Sequence, residues 1–253
     1  MIKVLFCALN EEENLKKFLV DLTHELQAIK NKNGYNFEII ACIDGTTDNS
    51  IELIEATAKF CNIKALPLTK EKGLGRAYKR LFKEVISNSH VDDIIITLDA
   101  DNTHNPTQMY EMVEYLKEHD LDILIASRFC KNSVMSDFPL YRKFISKATA
   151  LLLKGIFRIK RINYTDLKDF TSGFRLYKAG KIMELYKIKG DKFISEPEFT
   201  YTCEFLIKLS RIGAKIDELP ISYDYGNKIG KSKLSILRNF WRLIVLLLKL
   251  IKI

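Results

Sequence analysis

Ile94-Ile95-Ile96-Thr97-Leu98-Asp99-Ala100-Asp101-Asn102-Thr103-His104-Asn105-Pro106 is the stretch on which the fold of this chain turns. A β-favouring, mainly apolar run leads into it, as in a strand buried on both faces of a parallel sheet, and stops at Asp99. The two carboxylates therefore stand at a strand's carboxyl end, the edge of an open α/β sheet where ligands bind. Asp99 and Asp101 flank the small Ala100 and can both reach one hard cation, which would then face a diphosphate. The same letters also suit a plain β-turn rich in Asp and Asn, with Pro106 in the first turn of a helix. Taken alone, the stretch leaves both readings open.

The sequence on either side repeats a strand-then-helix order. Residues 3–6 read as a buried strand, and Asn10 with Glu13 has the spacing of a capping box that opens a helix to about residue 29. A second strand is expected at 37–43, ending in D-G-T-T-D, and Ile51, Leu53, Ile54 and Ala58 give residues 50–60 a helical spacing. A third strand at 63–68 leads to K-E-K-G-L-G-R, where Gly73 and Gly75 open another helix, and a strand at 121–126 ends in S-R-F. This order predicts a largely parallel sheet with helices on both faces. The glycine loop lacks the third glycine of a dinucleotide fingerprint and follows the third strand, which disfavours a nicotinamide enzyme. A turn that lets backbone approach a phosphate and a tight helix entry both remain for it.

Composition narrows the class. With 47% hydrophobic and 28% charged residues, the 253-residue chain is an ordinary globular protein, and one large α/β domain with an appendage is the expected division. The net charge of +8 is unevenly spread: residues 1–130 carry 15 Lys and Arg against 21 Asp and Glu, and the other 123 residues carry 25 against 11. The basic half calls for an anionic partner: a phosphorylated substrate, an acidic membrane surface or nucleic acid. Aromatic residues are not interleaved with the cations as a single-strand binding groove requires, so nucleic acid is not expected. Five scattered cysteines without a C-x-x-C pair read as reduced thiols, and the apolar N-terminus runs directly into acids, as a first strand does and a signal peptide does not.

Past Cys130 the alternation fails. Residues 140–162 mix Arg142, Lys143, Lys147 and Lys154 with Phe144, Ile145 and Leu151–153, the pattern of a basic amphipathic helix or pair of helices. D-F-T-S-G-F-R at 169–175 places a tight turn between an acid and Arg175, residues 196–212 read as helix, and 215–225 contain the edge-like strand E-L-P-I-S-Y. The final residues resemble a membrane span, yet their longest uncharged apolar run is 243–248, far below the roughly 20 residues a crossing needs. At about 100° per residue, Arg238, Arg242, Lys249 and Lys252 share one arc of roughly 80°. An interfacial helix fits this pattern, and docking on the protein's own core is the alternative.

Read together, L-N-E-E-E-N-L, I-D-G-T-T-D, K-G-L-G-R-A, D-A-D-N-T-H-N-P, A-S-R-F, D-F-T-S-G-F-R, E-L-P-I-S-Y and G-K-S-K-L resemble, in order and spacing, the inverting glycosyltransferases of the GT-A fold. The resemblance is greatest to the dolichol-phosphate mannose synthase group and its polyprenyl-phosphate glycosyltransferase relatives, and it runs over nearly the whole chain. It implies an α/β GT-A catalytic domain over residues 1–234, and a basic amphipathic helix over 235–253 that lies at the membrane interface. By position, Ala8, Leu9, Asn10, Glu11, Asp44, Lys72, Gly73 and Ala100 would line the donor nucleotide-sugar pocket. Asp99 and Asp101 would hold Mg2+ or Mn2+ against the diphosphate. Arg128, Arg142, Arg175, Lys231 and Lys233 would gather the phosphates of donor and acceptor, Asp169 would lie near the reacting centre, and Glu204 matches a family acid on a helix beneath it.

The implied reaction moves a sugar from a donor of the GDP-mannose or UDP-glucose type to a polyprenyl (dolichyl or undecaprenyl) phosphate, at the cytoplasmic face of a membrane bound peripherally. Ile43-Asp44 stands where the family usually has paired aspartates, Thr103 where some relatives have Gln, and Asn227-Lys228 where an arginine is often found. These departures leave the donor's base and sugar open. Two alternatives stand beside this reading: a GT-A enzyme acting on a soluble sugar hydroxyl with Asp169 or another carboxylate as base, and a noncatalytic membrane-binding module.

Overall fold

The structure, a computed structural model, describes residues 1–43, 45–67, 72–230 and 236–251, the side chains of 67, 236–240, 249 and 251 excepted. In chain order the elements are β1 (Ile2–Ala8), α1 (Glu12–Asn33), β2 (Phe37–Ile43), α2 (Ser50–Ala58), β3 (Ile63–Pro67), α3 (Leu74–Asn88), β4 (Ile94–Thr97), a 3-10 turn and α4 (Met109–Glu118). There follow β5 (Ile123–Ser127), β6 (Val134–Ser136), α5 (Leu140–Phe157), β7 (Arg175–Lys178), α6 (Ala179–Lys189), α7 (Tyr201–Arg211), β8 (Ile216–Pro220), β9 (Ser222–Asp224) and α8 (Ile236–Ile251).

Seven strands form one sheet in the order β3-β2-β1-β4-β7-β5-β8, parallel except for β7, which runs antiparallel to both neighbours. β1 pairs with β2 on one side and β4 on the other, with Leu5 opposite Thr97. The strand order therefore reverses between β1 and β4, and a crevice opens beyond their carboxyl ends. Residues 8–11 and 98–101 are the chain segments that emerge there. The expected α/β architecture is present. β7 was not legible as a strand, because D-F-T-S-G-F-R reads as a turn and its four-residue strand, Arg175–Lys178, contains two cations.

Alternate residues of each central strand supply two cores. Val4 and Phe6 face α1 and α4, where Phe6 meets Phe18 edge-on at 5.1 Å, whereas Leu5 and Ile95 face α3, α6 and α7. On that second side Tyr78 stacks on Tyr201 at 4.8 Å and Phe82 lies 4.6 Å from Phe205. The capping box expected from Asn10 and Glu13 does not form. Glu11 is the N-cap but its side chain caps no backbone N–H, accepting instead from Asn14 Nδ2 at 2.6 Å, and residues around the start of α2 cap the helix, Asp48 Oδ2 accepting from Glu12 N at 2.9 Å and Ser50 Oγ from Glu11 N at 3.2 Å. No helix among the described residues is long and apolar enough to cross a membrane.

Candidate active site

The crevice is a cavity of about 480 Å³ into which β1 and β4 deliver Ala8, Leu9, Glu11, Asp99, Ala100 and Asp101. Several contacts fix the aspartate loop. Tyr78 Oη donates to Leu98 O at 3.2 Å from below, Asn102 adopts a left-handed φ of 60°, and its Nδ2 donates to Asn14 O at 3.0 Å. Thr103 Oγ1 donates to Asp101 Oδ1 at 2.6 Å, and Lys228 Nζ forms an ion pair with Asp101 Oδ2. Gly173 is the close point on the far wall. A Cβ there would lie 3.2 Å from Asp99 Oδ1, and Thr97 Oγ1 ties that turn to β4 by donating to Gly173 O at 2.8 Å.

Asp99 keeps 35% of its side chain exposed, toward the cavity. Its crowded surroundings, and then the neighbouring Asp101 charge, push its carboxyl up to about 7. Burial acts upward on Asp101 too, but Lys228 outweighs it and holds that carboxyl below its usual range. Behind the pair, His104 is buried, with a pKa lowered by burial to about 4, so its ring is neutral at pH 7. Its Nδ1 lies 4.0 Å from Asp99 Oδ2 and has no hydrogen-bond partner among the described residues. Two carboxylates crowded enough to raise one of them have an excess of negative charge that a hard divalent cation relieves. Among the described residues no cluster of three or more His, Cys, Asp or Glu side chains surrounds such a position. A donor set of two carboxylates fits an ion that takes its remaining ligands from water and substrate phosphates.

Cations face the acids across the cavity. Arg128, after β5, is gripped by Asp169, with Nε to Oδ2 at 2.8 Å, Nη2 to Oδ1 at 2.7 Å and its own backbone N to Oδ2 at 3.0 Å. Asp169 is fully buried, accepts also from the backbone N–H groups of Thr171 and Ser172, and is absent from the cavity wall. Asp169, expected near the reacting centre, thus stands one residue behind the cavity wall, as the counter-ion of Arg128. Arg142, on α5, does line the cavity, with its guanidinium 5.4 Å over the Tyr225 ring. Arg175 does not. It is buried, Nη1 donating to Thr202 O and Nη2 to Phe170 O, both at 2.8 Å, so its guanidinium ties α7 to the 170 turn. Glu204 is likewise internal, accepting from Ser195 N, Glu196 N and Lys208 Nζ.

The two glycines of the loop meet another segment of the chain. Gly75 N donates to Pro197 O at 3.0 Å, and a Cβ on Gly75 would lie 2.1 Å from Glu196 O. At Gly73, φ +141°, a Cβ would lie 2.4 Å from Pro197 O. Both glycines thus admit the 196–198 segment, which carries Glu198 to the cavity and occupies the amides at the start of α3. Gly73 and Lys72 nevertheless line the wall. Asn10 is outside the lining, a left-handed turn residue whose Oδ1 accepts from Thr47 N at 2.7 Å. Asp44, Lys231 and Lys233 lie outside the described residues.

A family model described as glycosyl transferase family 2 matches residues 3–186. The chain belongs to that family. It is similar to the dolichol-phosphate mannosyltransferase of Pyrococcus furiosus, 32% identical over 173 residues that cover 68% of this chain and 45% of the relative. The chain thus spans less than half of that protein's length. The undecaprenyl-phosphate mannosyltransferase of Micrococcus luteus is 28% identical over 201 residues, 78% of this chain and 76% of the relative. Among solved structures, glucosyl-3-phosphoglycerate synthase from Mycobacterium tuberculosis, in complex with Mn2+, UDP and glucosyl-3-phosphoglycerate, matches with a TM-score of 0.64 at 16% identity, over 98% of this chain and 79% of that one. That likeness is one of fold, the GT-A fold, and the protein is a family 2 glycosyltransferase.

Among the lining residues to which the sequence reading gave no role are His104, Thr171, Tyr223 and Lys228. Lys228 had a signal, since it stands where relatives often have arginine. Tyr223 had none, because the two-stranded β6–β9 ribbon that presents it pairs strands of three residues each.

Proposed function

We propose that this glycosyltransferase moves one sugar from a nucleoside diphosphate to a polyprenyl monophosphate, with inversion at the anomeric carbon, at the cytoplasmic face of a membrane it meets through α5 and α8. The observation that carries the proposal is the two-sidedness of α5. Arg142, Ile145, Ser146 and Thr149, spaced for one helical face, line the cavity. Leu140, Phe144 and Leu151, on roughly the opposite face, are 82%, 77% and 72% exposed. A helix that turns Arg142 inward and large apolar side chains outward, with the exposed Lys147 among them, suits a protein whose outside, at that place, is a lipid surface with anionic head groups. α8 adds to the same proposal. Leu243, Leu246, Leu247 and Leu250 dock on the core while Trp241, Val245 and Leu248 stay exposed, and the exposed side chains support an interfacial role for that part of the helix. The names of the two mannosyltransferase relatives agree with a polyprenyl-phosphate acceptor.

The chemistry needs little acid–base help. A lipid monophosphate is anionic near pH 7, so its oxygen attacks the anomeric carbon directly while the bond to the departing diphosphate breaks. Arg128, held by Asp169, and Arg142, over Tyr225, draw two anionic substrates into one cavity and orient them. Ala8, Leu9, Glu11, Lys72, Gly73 and Ala100 form the donor wall. Asp99 and Asp101 would hold Mg2+ or Mn2+, which when bound neutralises charge growing on the departing nucleoside diphosphate. The soluble-hydroxyl alternative needs a base, and with Asp169 sealed behind Arg128 it would have to be another carboxylate of the lining, such as Glu198.

To test the proposal, purified protein is incubated with Mn2+, labelled sugar nucleotides in turn and vesicles containing polyprenyl phosphate. Label is expected in an organic extract, on a phosphodiester of inverted configuration. Label that enters only water-soluble products would overturn the choice of acceptor.

A further inference from the structure

Asp101 already has a cation, and it comes from a distant part of the chain. Lys228 Nζ pairs with Asp101 Oδ2, and both side chains are largely buried, 15% and 14% exposed. The backbone that delivers this ammonium is pinned. Ile229 N donates to Asn14 Oδ1 at 3.0 Å, and Asn14 Nδ2 donates back to Ile229 O at 3.1 Å. Asn14 is itself buried on α1, where it also bonds Glu11 Oε2 at 2.6 Å and accepts at its carbonyl from Asn102. On the other side of Lys228, Asp224 N donates to Thr103 O at 3.1 Å. The platform under Lys228 is therefore tied to α1 at Asn14 and to the aspartate loop at Thr103, and the freedom left to this residue is in its side chain.

We propose that Lys228 is an internal counter-ion of the aspartate pair, taking Asp101 when no divalent cation is bound and yielding it when one enters. The inference rests on the metal role of Asp99 and Asp101 given above. Its physical basis is that neighbouring carboxylates at a low-dielectric edge are costly unless balanced. An ammonium on a flexible four-carbon stem supplies the balance and can withdraw without backbone movement. Metal binding to the donor-free protein is then a competition, weakened by the strength of the Lys228 pair, and a lysine serving only the donor would not weaken it.

The test is Mn2+ binding to the protein without donor, read by electron paramagnetic resonance, for wild type, Lys228→Met, Lys228→Arg and Asp101→Asn, each checked for folding by circular dichroism. Lys228→Met should bind Mn2+ about tenfold more tightly, the equivalent of one charged hydrogen bond removed from the competition. Lys228→Arg should bind like wild type, and Asp101→Asn should lose binding. Should Lys228→Met fold poorly, Lys228→Gln removes the charge with less loss of polarity and is expected to move affinity in the same direction. Equal or weaker Mn2+ binding by a folded, charge-removed variant overturns the counter-ion role while leaving the metal role standing. Absence of Mn2+ binding from wild type and variants alike overturns both.

Discussion

Asp101 receives Thr103, Lys228 and the field of Asp99 at once, so single-atom changes there are informative. Asp101→Asn keeps the shape and the Thr103 contact but removes the charge. Sugar transfer should fall by about 100-fold or more while the melting temperature stays near that of wild type, as expected when electrostatic stabilisation of a leaving group is lost. Retention of full transfer by this variant, or by wild type in EDTA, would remove the metal role. Asp169 makes the opposite prediction. Burial acts to raise its carboxyl, yet Arg128 outweighs burial and holds it below the usual range. A carboxyl so depressed stabilises the fold fully above its unfolded value of about 4, and that contribution is lost as pH falls through the lower folded value. Asp169→Asn leaves Arg128 buried without its counter-ion and should cost about 3–5 kcal/mol at pH 7, while flattening the acid limb of the stability profile. Urea denaturation from pH 3 to 7 measures both, and an unchanged midpoint would mean that the pair does not support the fold.

At the scale of elements, α5 and α8 separate two kinds of apolar exposure. The sequence showed both helices as basic and amphipathic, but not which face turned inward, because cations and large apolar residues are mixed along them and only the packing partners decide. Docking of Leu243, Leu246, Leu247 and Leu250 means that deleting α8 removes core, on the order of 2 kcal/mol for each buried leucine, so truncation would report on folding before it reported on membranes. Replacing Leu140, Phe144 and Leu151 together by Ser is the cleaner change, since these side chains are exposed and little packing is lost. Flotation with anionic vesicles should fall severalfold with an unchanged melting temperature, and flotation equal to that of wild type would remove α5 from the membrane contact. The glycine loop teaches a related point. Gly73 and Gly75 were legible as a place of close backbone approach, but the approaching group is the carbonyl of Pro197, more than a hundred residues away, and nothing local to the loop could name it.

For the whole molecule, the strand–helix order carried the sheet, its largely parallel direction and the placement of Asp99 and Asp101 at the carboxyl edge, because hydrophobic period and connection rules act locally along the chain. What was not legible depends on contacts across the chain: β7 entering the sheet antiparallel between β4 and β5, Asp169 closing on Arg128, Arg175 turning away from the cavity, and Lys228 reaching Asp101. Those contacts yield a cavity with acids on one wall, arginines opposite and a helix with exposed apolar side chains beside it, the arrangement on which the proposed anionic lipid acceptor rests. The most direct test offers one sugar-nucleotide donor, in parallel, with a polyprenyl phosphate and with the matching polyprenol in the same vesicles, and counts label in the extracted lipid. Label on the phosphate and little on the alcohol is expected, because Arg128 and Arg142 act on charge and no base faces a hydroxyl from Asp169; label on the alcohol and not on the phosphate would contradict the account.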